Sequence, residues 1–202
     1  MSEPKKIRMP SRLVLLAPVA AETITIVADT DFNTFTGYNG ATESAGAALT
    51  MAAIATRQEC GRNVVMTITD ANSTVTGGYV KVYGMGIGGN STSETLTIPG
   101  TGTATVTGSV PFVYISNATI WGVTGTAGSG DKIKIGQGAK LGLPMPDEAK
   151  LVAVVKERTG NANVEITQSS VDYTNKTYTP GGTLNESNNV EIDYVYDLMI
   201  NW

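Results

Sequence analysis

This sequence of 202 residues contains no histidine. That removes the side chain most used to move protons near neutral pH, together with the usual Ser–His and Cys–His nucleophilic pairs and the commonest zinc ligand. Chemistry would have to rest on carboxylates, and the closest pairs are Asp29 with Asp31, Asp147 with Glu148, and Glu191 with Asp193. Acids two apart on a strand share a face and could hold a hard cation or serve glycoside hydrolysis. Solvated strand and loop carboxylates are the plainer expectation. The glycine clusters Gly84–Gly89 and Gly125–Gly130 lack the lysine and following helix of a phosphate loop, so they are expected to be hairpin turns. Tyr79, Tyr83, Tyr114 and Trp121 could form a sugar platform, but with aromatics at 6% they are expected to fill the core or a subunit contact. A single cysteine, Cys60, allows no internal disulfide. The expectation is a non-enzymatic protein with no catalytic residues, no metal and no cofactor.

The elements that would position these residues are strands. Thr (28) and Gly (23) are in excess, and Val, Ile, Tyr and Thr recur with period two. Strands are expected over Arg12–Leu16, Thr23–Ala28, Asn63–Asp70, Gly78–Gly84, Ser93–Ile98, Thr103–Thr107, Val110–Ile120 and Lys132–Gly136. Leu151–Lys156 and Asn163–Gln168 form a hairpin around Arg158–Asn161, and Tyr173–Thr179 is a further candidate. Ala45–Ile54 fits either a helical turn or an edge strand. From Val190 to Trp202 apolar residues alternate with Glu191, Asp193, Asp197 and Asn201, a strand long enough to bend between sheets or to reach a partner. Short strands at this spacing predict an all-β antiparallel sandwich. Residues 1–55 are expected to be an extended N-terminal arm and loop and 56–202 the sandwich, with an internal boundary at 142–147, where Pro144 and Pro146 break any ladder.

The net charge of −4 and pI near 4.8 argue against a nucleic-acid partner. Lys5, Lys6, Arg8 and Arg12 precede the apolar run Leu13–Ala21 and imitate a secretory leader. The run is short and Pro18 interrupts it, so no leader is expected; nor does any stretch approach the ~20 apolar residues of a membrane span. A polar, proline-punctuated segment cannot bury enough surface to hold itself, so Met1–Ala21 is expected to dock on a neighbouring subunit. Lys5, Lys6, Arg8 and Arg12 would attract an acidic surface, and Leu13, Leu15 and Leu16 would bury against it. Tyr194, Tyr196 and Trp202 of the last strand are the other expected partner-binding residues. Removing residues 1–12 is then expected to leave the sandwich folded and to weaken assembly.

The runs RNVVMTITD (62–70), GGYVKVYG (77–84), SETLTIPGTGTATVTG (93–108) and GDKIKIGQGAKLGLP (130–144), with the TYTP turn at 177–180 and the acidic aromatic strand Glu191–Asp197, resemble an immunoglobulin-like β-sandwich recurrent in tailed-bacteriophage virion proteins. The resemblance covers about residue 56 to the end and implies a virion structural role, often capsid decoration or cement. A subunit of that kind would be made in the host cytoplasm, bind the major capsid protein or other virion subunits, form a homo-oligomer, and meet neither nucleic acid nor membrane. A tail, neck or baseplate protein, a carbohydrate-binding adhesin module and a carboxylate-based hydrolase are the competing expectations.

Overall fold

The computed structural model describes residues 5–16, 18, 20, 25–31, 38–52, 60–100, 102–126 and 128–200, leaving aside the side chains of Lys5, Met199 and Ile200. Among them lie fourteen strands, two short 3-10 turns and no α-helix. The strands are β1 (Lys5–Leu15), β2 (Thr25–Asp31), β3 (Ala47–Ala48), β4 (Arg62–Thr69), β5 (Val75–Met85), β6 (Ser91–Ile98) and β7 (Ala104–Thr107). They continue as β8 (Tyr114–Gly125), β9 (Lys132–Gly142), β10 (Lys150–Thr159), β11 (Ala162–Val164), β12 (Val171–Asp172), β13 (Thr177–Tyr178) and β14 (Val190–Ile200). Every pairing is antiparallel. The first sheet runs β1-β14-β10-β11, the second β12-β13-β9-β4-β7 with β2 also on β9, and the third β3-β8-β5-β6.

Two apolar clusters hold these sheets. The first takes Val64, Met66, Ile68, Ile133 and Ile135 from the second sheet and Val80, Val82, Leu96, Ile98 and Ile120 from the third. The second takes Leu13, Leu15, Leu151, Val154, Val190, Ile192 and Tyr194 from the first sheet and packs them on Leu141, Leu143 and Tyr178. Strand β9 serves both: Ile133 and Ile135 enter the first cluster, and Leu141 the second.

Turn chemistry agrees with the expected hairpins. Gly84–Gly89 lies in and after the end of β5, and Gly86 and Asn90 close the turn into β6 with a 2.9 Å backbone bond. Gly160 sits between β10 and β11 with φ +58, a left-handed conformation that suits glycine. The ambiguous 45–54 region divides: a 3-10 turn spans Glu43–Ala45, and β3 follows on the edge of β8.

The reading of 1–55 as arm and loop is corrected. β1, β2 and β3 all pair with strands formed after residue 60. The reason for β1 is that its alternation matches that of β14 row by row. Leu13 and Leu15 face Ile192 and Val190 on the buried side, while Arg8 and Arg12 face Asp197 and Asp193 on the other. Along one edge, β1 pairs its backbone with β14 of its own chain over eleven residues, which gives the segment a place in the fold.

Candidate functional site

The site is built on β1, β14 and β10, whose alternation sends one set of side chains outward. Registers place three of these rows side by side: Arg8–Asp197–Lys150, then Pro10–Val195–Ala153, then Arg12–Asp193–Lys156. A fourth row is Val14–Glu191–Arg158. An acidic central strand is thus flanked on both sides by basic ones, with an apolar waist between two charged rows.

β10 joins this pattern through two bulges. Val152 and Val155 are the extra residues in its pairing with β14. Each bulge shifts the alternation, so Leu151, Val154 and Glu157, three apart, all turn inward and are buried. The two shifts cancel, so Lys150, Lys156 and Arg158 stay on the outward side, while Val154 goes in and Val155 is left 57% exposed.

The charges are coupled. Arg8 Nε donates to Asp197 Oδ1 at 3.0 Å, and Lys6 Nζ lies 2.6 Å from Asp197 Oδ2. Arg12 holds Asp193 through Nε and, at 3.0 Å, through Nη2. Glu191 lies within 3.8 Å of Arg12 and 3.9 Å of Arg158. The hydrogen bond from Arg8, then that from Lys6, keeps the Asp197 carboxyl below the usual aspartate range. Pro10, Ser11, Arg12, Val155, Asp193, Tyr194 and Val195 line a shallow groove of about 490 Å³ over the waist.

Of the expected partner residues, Lys6, Arg8 and Arg12 lie on this face and Leu16 is 66% exposed beside it. Lys5 is in β1, its side chain outside the description, and Trp202 lies outside the described residues. Leu13, Leu15 and Tyr194 are corrected: they are buried in the second cluster, and Tyr194 donates its hydroxyl to the Pro144 carbonyl. Tyr196 is half-buried and packs on the same cluster. Inward alternation gives the reason, since these side chains share the apolar side of their strands. Sequence reasoning missed Lys150, Lys156 and Arg158; the unalternating Val154-Val155 was the available sign of a bulge in that strand.

Other candidates are placed differently. Glu191 and Asp193 belong to the face just described, and Asp29, Asp31, Asp147 and Glu148 are exposed. Among the described residues no three His, Cys, Asp or Glu side chains gather as a metal-binding group. Several acids instead hold the protein's own backbone. Asp131 accepts from Ala71 N at 2.8 Å and Gly128 N at 2.6 Å, and Asp70 from Thr74 N and Val75 N at 3.1 Å each. Glu157 is fully buried and accepts from Tyr178 Oη at 2.5 Å, Gly181 N at 2.9 Å and Gly182 N at 2.8 Å. On the third sheet Tyr79 stacks on Trp121, with centroids 5.6 Å apart, and Lys81 sits 5.0 Å from the centroid of Tyr83 while pairing with Glu43 at 3.0 Å. Tyr114 is exposed near the end of β5.

No family model, curated protein or solved structure matches this chain. The face therefore has to be interpreted from its own chemistry. Its carboxylates are engaged by cations, and its waist is apolar.

Proposed function

We propose that the chain is a non-enzymatic structural subunit of a tailed-phage particle, of the capsid decoration or cement kind, that joins its assembly through the outward face of β1, β14 and β10. In this reading the second and third sheets form an immunoglobulin-like sandwich that carries the face. The observation that carries the reading is that face: ordered charged rows around an exposed apolar waist, on strands fixed by a buried cluster. Such a surface is rigid before it meets a partner, so little ordering entropy remains to be spent on binding. The four runs that resemble phage virion sandwiches fall on β4, β5, β6, β7 and β9, beside the first cluster, and the TYTP turn and the acidic aromatic strand fall on β13 and β14, at the second. The test is to mix the purified chain with emptied tailed-phage shells, measure co-sedimentation and image the product. Repeated density at symmetry-related shell positions is expected. Shells that stay bare at micromolar protein, while tail fractions bind it, would move the assignment to tail, neck or baseplate.

A second reading, an adhesin module, is favoured by one observation: Tyr79 stacked on Trp121 on an exposed sheet face bordered by Lys81 and Glu43. A flat aromatic pair can stack on a sugar ring. A rise in melting temperature with added oligosaccharide, lost on Tyr79→Ala, would support it.

A further inference from the structure

We infer that the outward face of the first sheet receives one kind of partner: an extended protein segment in which an apolar residue stands between two acids at two-residue spacing. The inference rests on reading this face as a docking surface, not on the phage assignment. Six cations lie on it, Lys6, Arg8, Arg12, Lys150, Lys156 and Arg158, against three carboxylates, Glu191, Asp193 and Asp197. The face is therefore three charges positive in a chain whose net charge is −4. All three acids are already engaged by Lys6, Arg8, Arg12 or Arg158. Lys150 and Lys156 are exposed, and no ion pair of theirs is found among the described residues. The surplus positive charge thus lies along β10 and calls for carboxylates from outside.

Spacing defines the pattern. The rows of Asp197 and Asp193 are four residues apart, ~13 Å along the strand, with the Val195 row midway. An extended partner places alternate side chains on one face at the same pitch, so acid, apolar residue and acid at i, i+2 and i+4 meet Lys150, the groove and Lys156 in turn. Val155, raised by its bulge, and Pro10 wall the groove that takes the apolar residue. A second copy of this face is disfavoured because both would be positive. A phosphate backbone is disfavoured because Glu191, Asp193 and Asp197 run through the centre, where regular phosphates would meet them.

The test uses the full chain and two labelled peptides of one composition, Thr-Glu-Thr-Leu-Thr-Glu-Thr and Thr-Thr-Glu-Glu-Thr-Thr-Leu, read by fluorescence anisotropy at low salt. The first should bind at least about fivefold more tightly, and binding should weaken with salt. Lys150→Ala with Lys156→Ala should weaken it about tenfold with an unchanged circular dichroism spectrum. Val155→Asp, a change at an already exposed bulge, should weaken it independently. Equal binding of the two peptides, or variants that bind like the wild type, would overturn the inference. So would duplex DNA binding as tightly as the first peptide, or a sedimenting dimer that the double alanine change dissolves. Because the shell experiment uses no peptide, either proposal can fail while the other stands.

Discussion

Asp197 and Glu157 show two uses of a carboxylate on neighbouring strands. Asp197 faces outward but is almost covered by Lys6 and Arg8, whose hydrogen bonds lower its pKa. A lowered folded pKa contributes stability that is complete above the ordinary aspartate value of ~4 and is lost as pH falls through the folded value. The melting temperature should therefore drop as pH is taken from 6 to 3, and Asp197→Asn should drop less over that range; equal pH dependence would remove Asp197 from this role. Glu157 faces inward and accepts from Tyr178 Oη, Thr159 Oγ1, Gly181 N and Gly182 N, and its removal leaves the buried Tyr178 hydroxyl without its acceptor. Burial, then the bond to Glu157, pushes the Tyr178 phenol up, so it stays a donor across the physiological range. Glu157→Ala should cost on the order of 3 kcal/mol in urea unfolding, while Glu186→Ala at an exposed turn should stay within about 0.5 kcal/mol. Little of this could be read in advance. Glu157 looks like a solvated strand acid, although alternation from Leu151 puts it on the inward side and the two bulges, which cancel, leave it there.

At the scale of strands, β14 was the most readable element and β1 the least. The alternation from Val190 onward is long, regular and needs no knowledge of its neighbours. β1 hides its alternation behind Pro10 and four basic residues, and its partner lies far along the sequence: Arg8 bonds Asp197 across 189 residues. β1 is consequently structural. Leu13 and Leu15 are buried, each contributing about 1.5–3 kcal/mol by burial, a large share of the ~5–15 kcal/mol that holds a domain together. Deleting residues 1–15 should expose β14 to rapid hydrogen exchange and lower the melting temperature. If β14 stays protected in the truncated chain, β1 is an appendage after all. β1 is also the edge of its sheet, and Pro10 offers no donor while Lys6, Arg8 and Arg12 repel a like strand, which discourages a further strand from adding there.

For the molecule as a whole, Pro144 and Pro146 suggested a boundary at 142–147, yet Leu141, Leu143, Met145 and Leu151 belong to one cluster, and where the two cores meet was not readable. The change of core falls inside β9, between Ile135 and Leu141, where composition shows only a continuous strand. A strand shared by two cores should couple them. Ile135→Ala and Leu141→Ala, each expected to cost about 2–5 kcal/mol, should lower one and the same calorimetric transition. Two peaks that respond separately would mean the cores unfold independently. The all-β class was open to sequence because period-two alternation is local, whereas the three-sheet division depends on which strands meet across long separations.

The pairing of β1 with β14 also sets an order of events in the cell. A ribosome releases the β1 segment early, yet the strand it needs is synthesised almost two hundred residues later, at ~5–20 residues per second. For many seconds Leu13 and Leu15 have no permanent place, and on a crowded polysome the β14 of a neighbouring nascent chain is as good a match as their own. Completion of the first sheet is thus expected to come late and to be sensitive to concentration, and dilution or a holding chaperone during synthesis should raise the yield of monomer over strand-exchanged product.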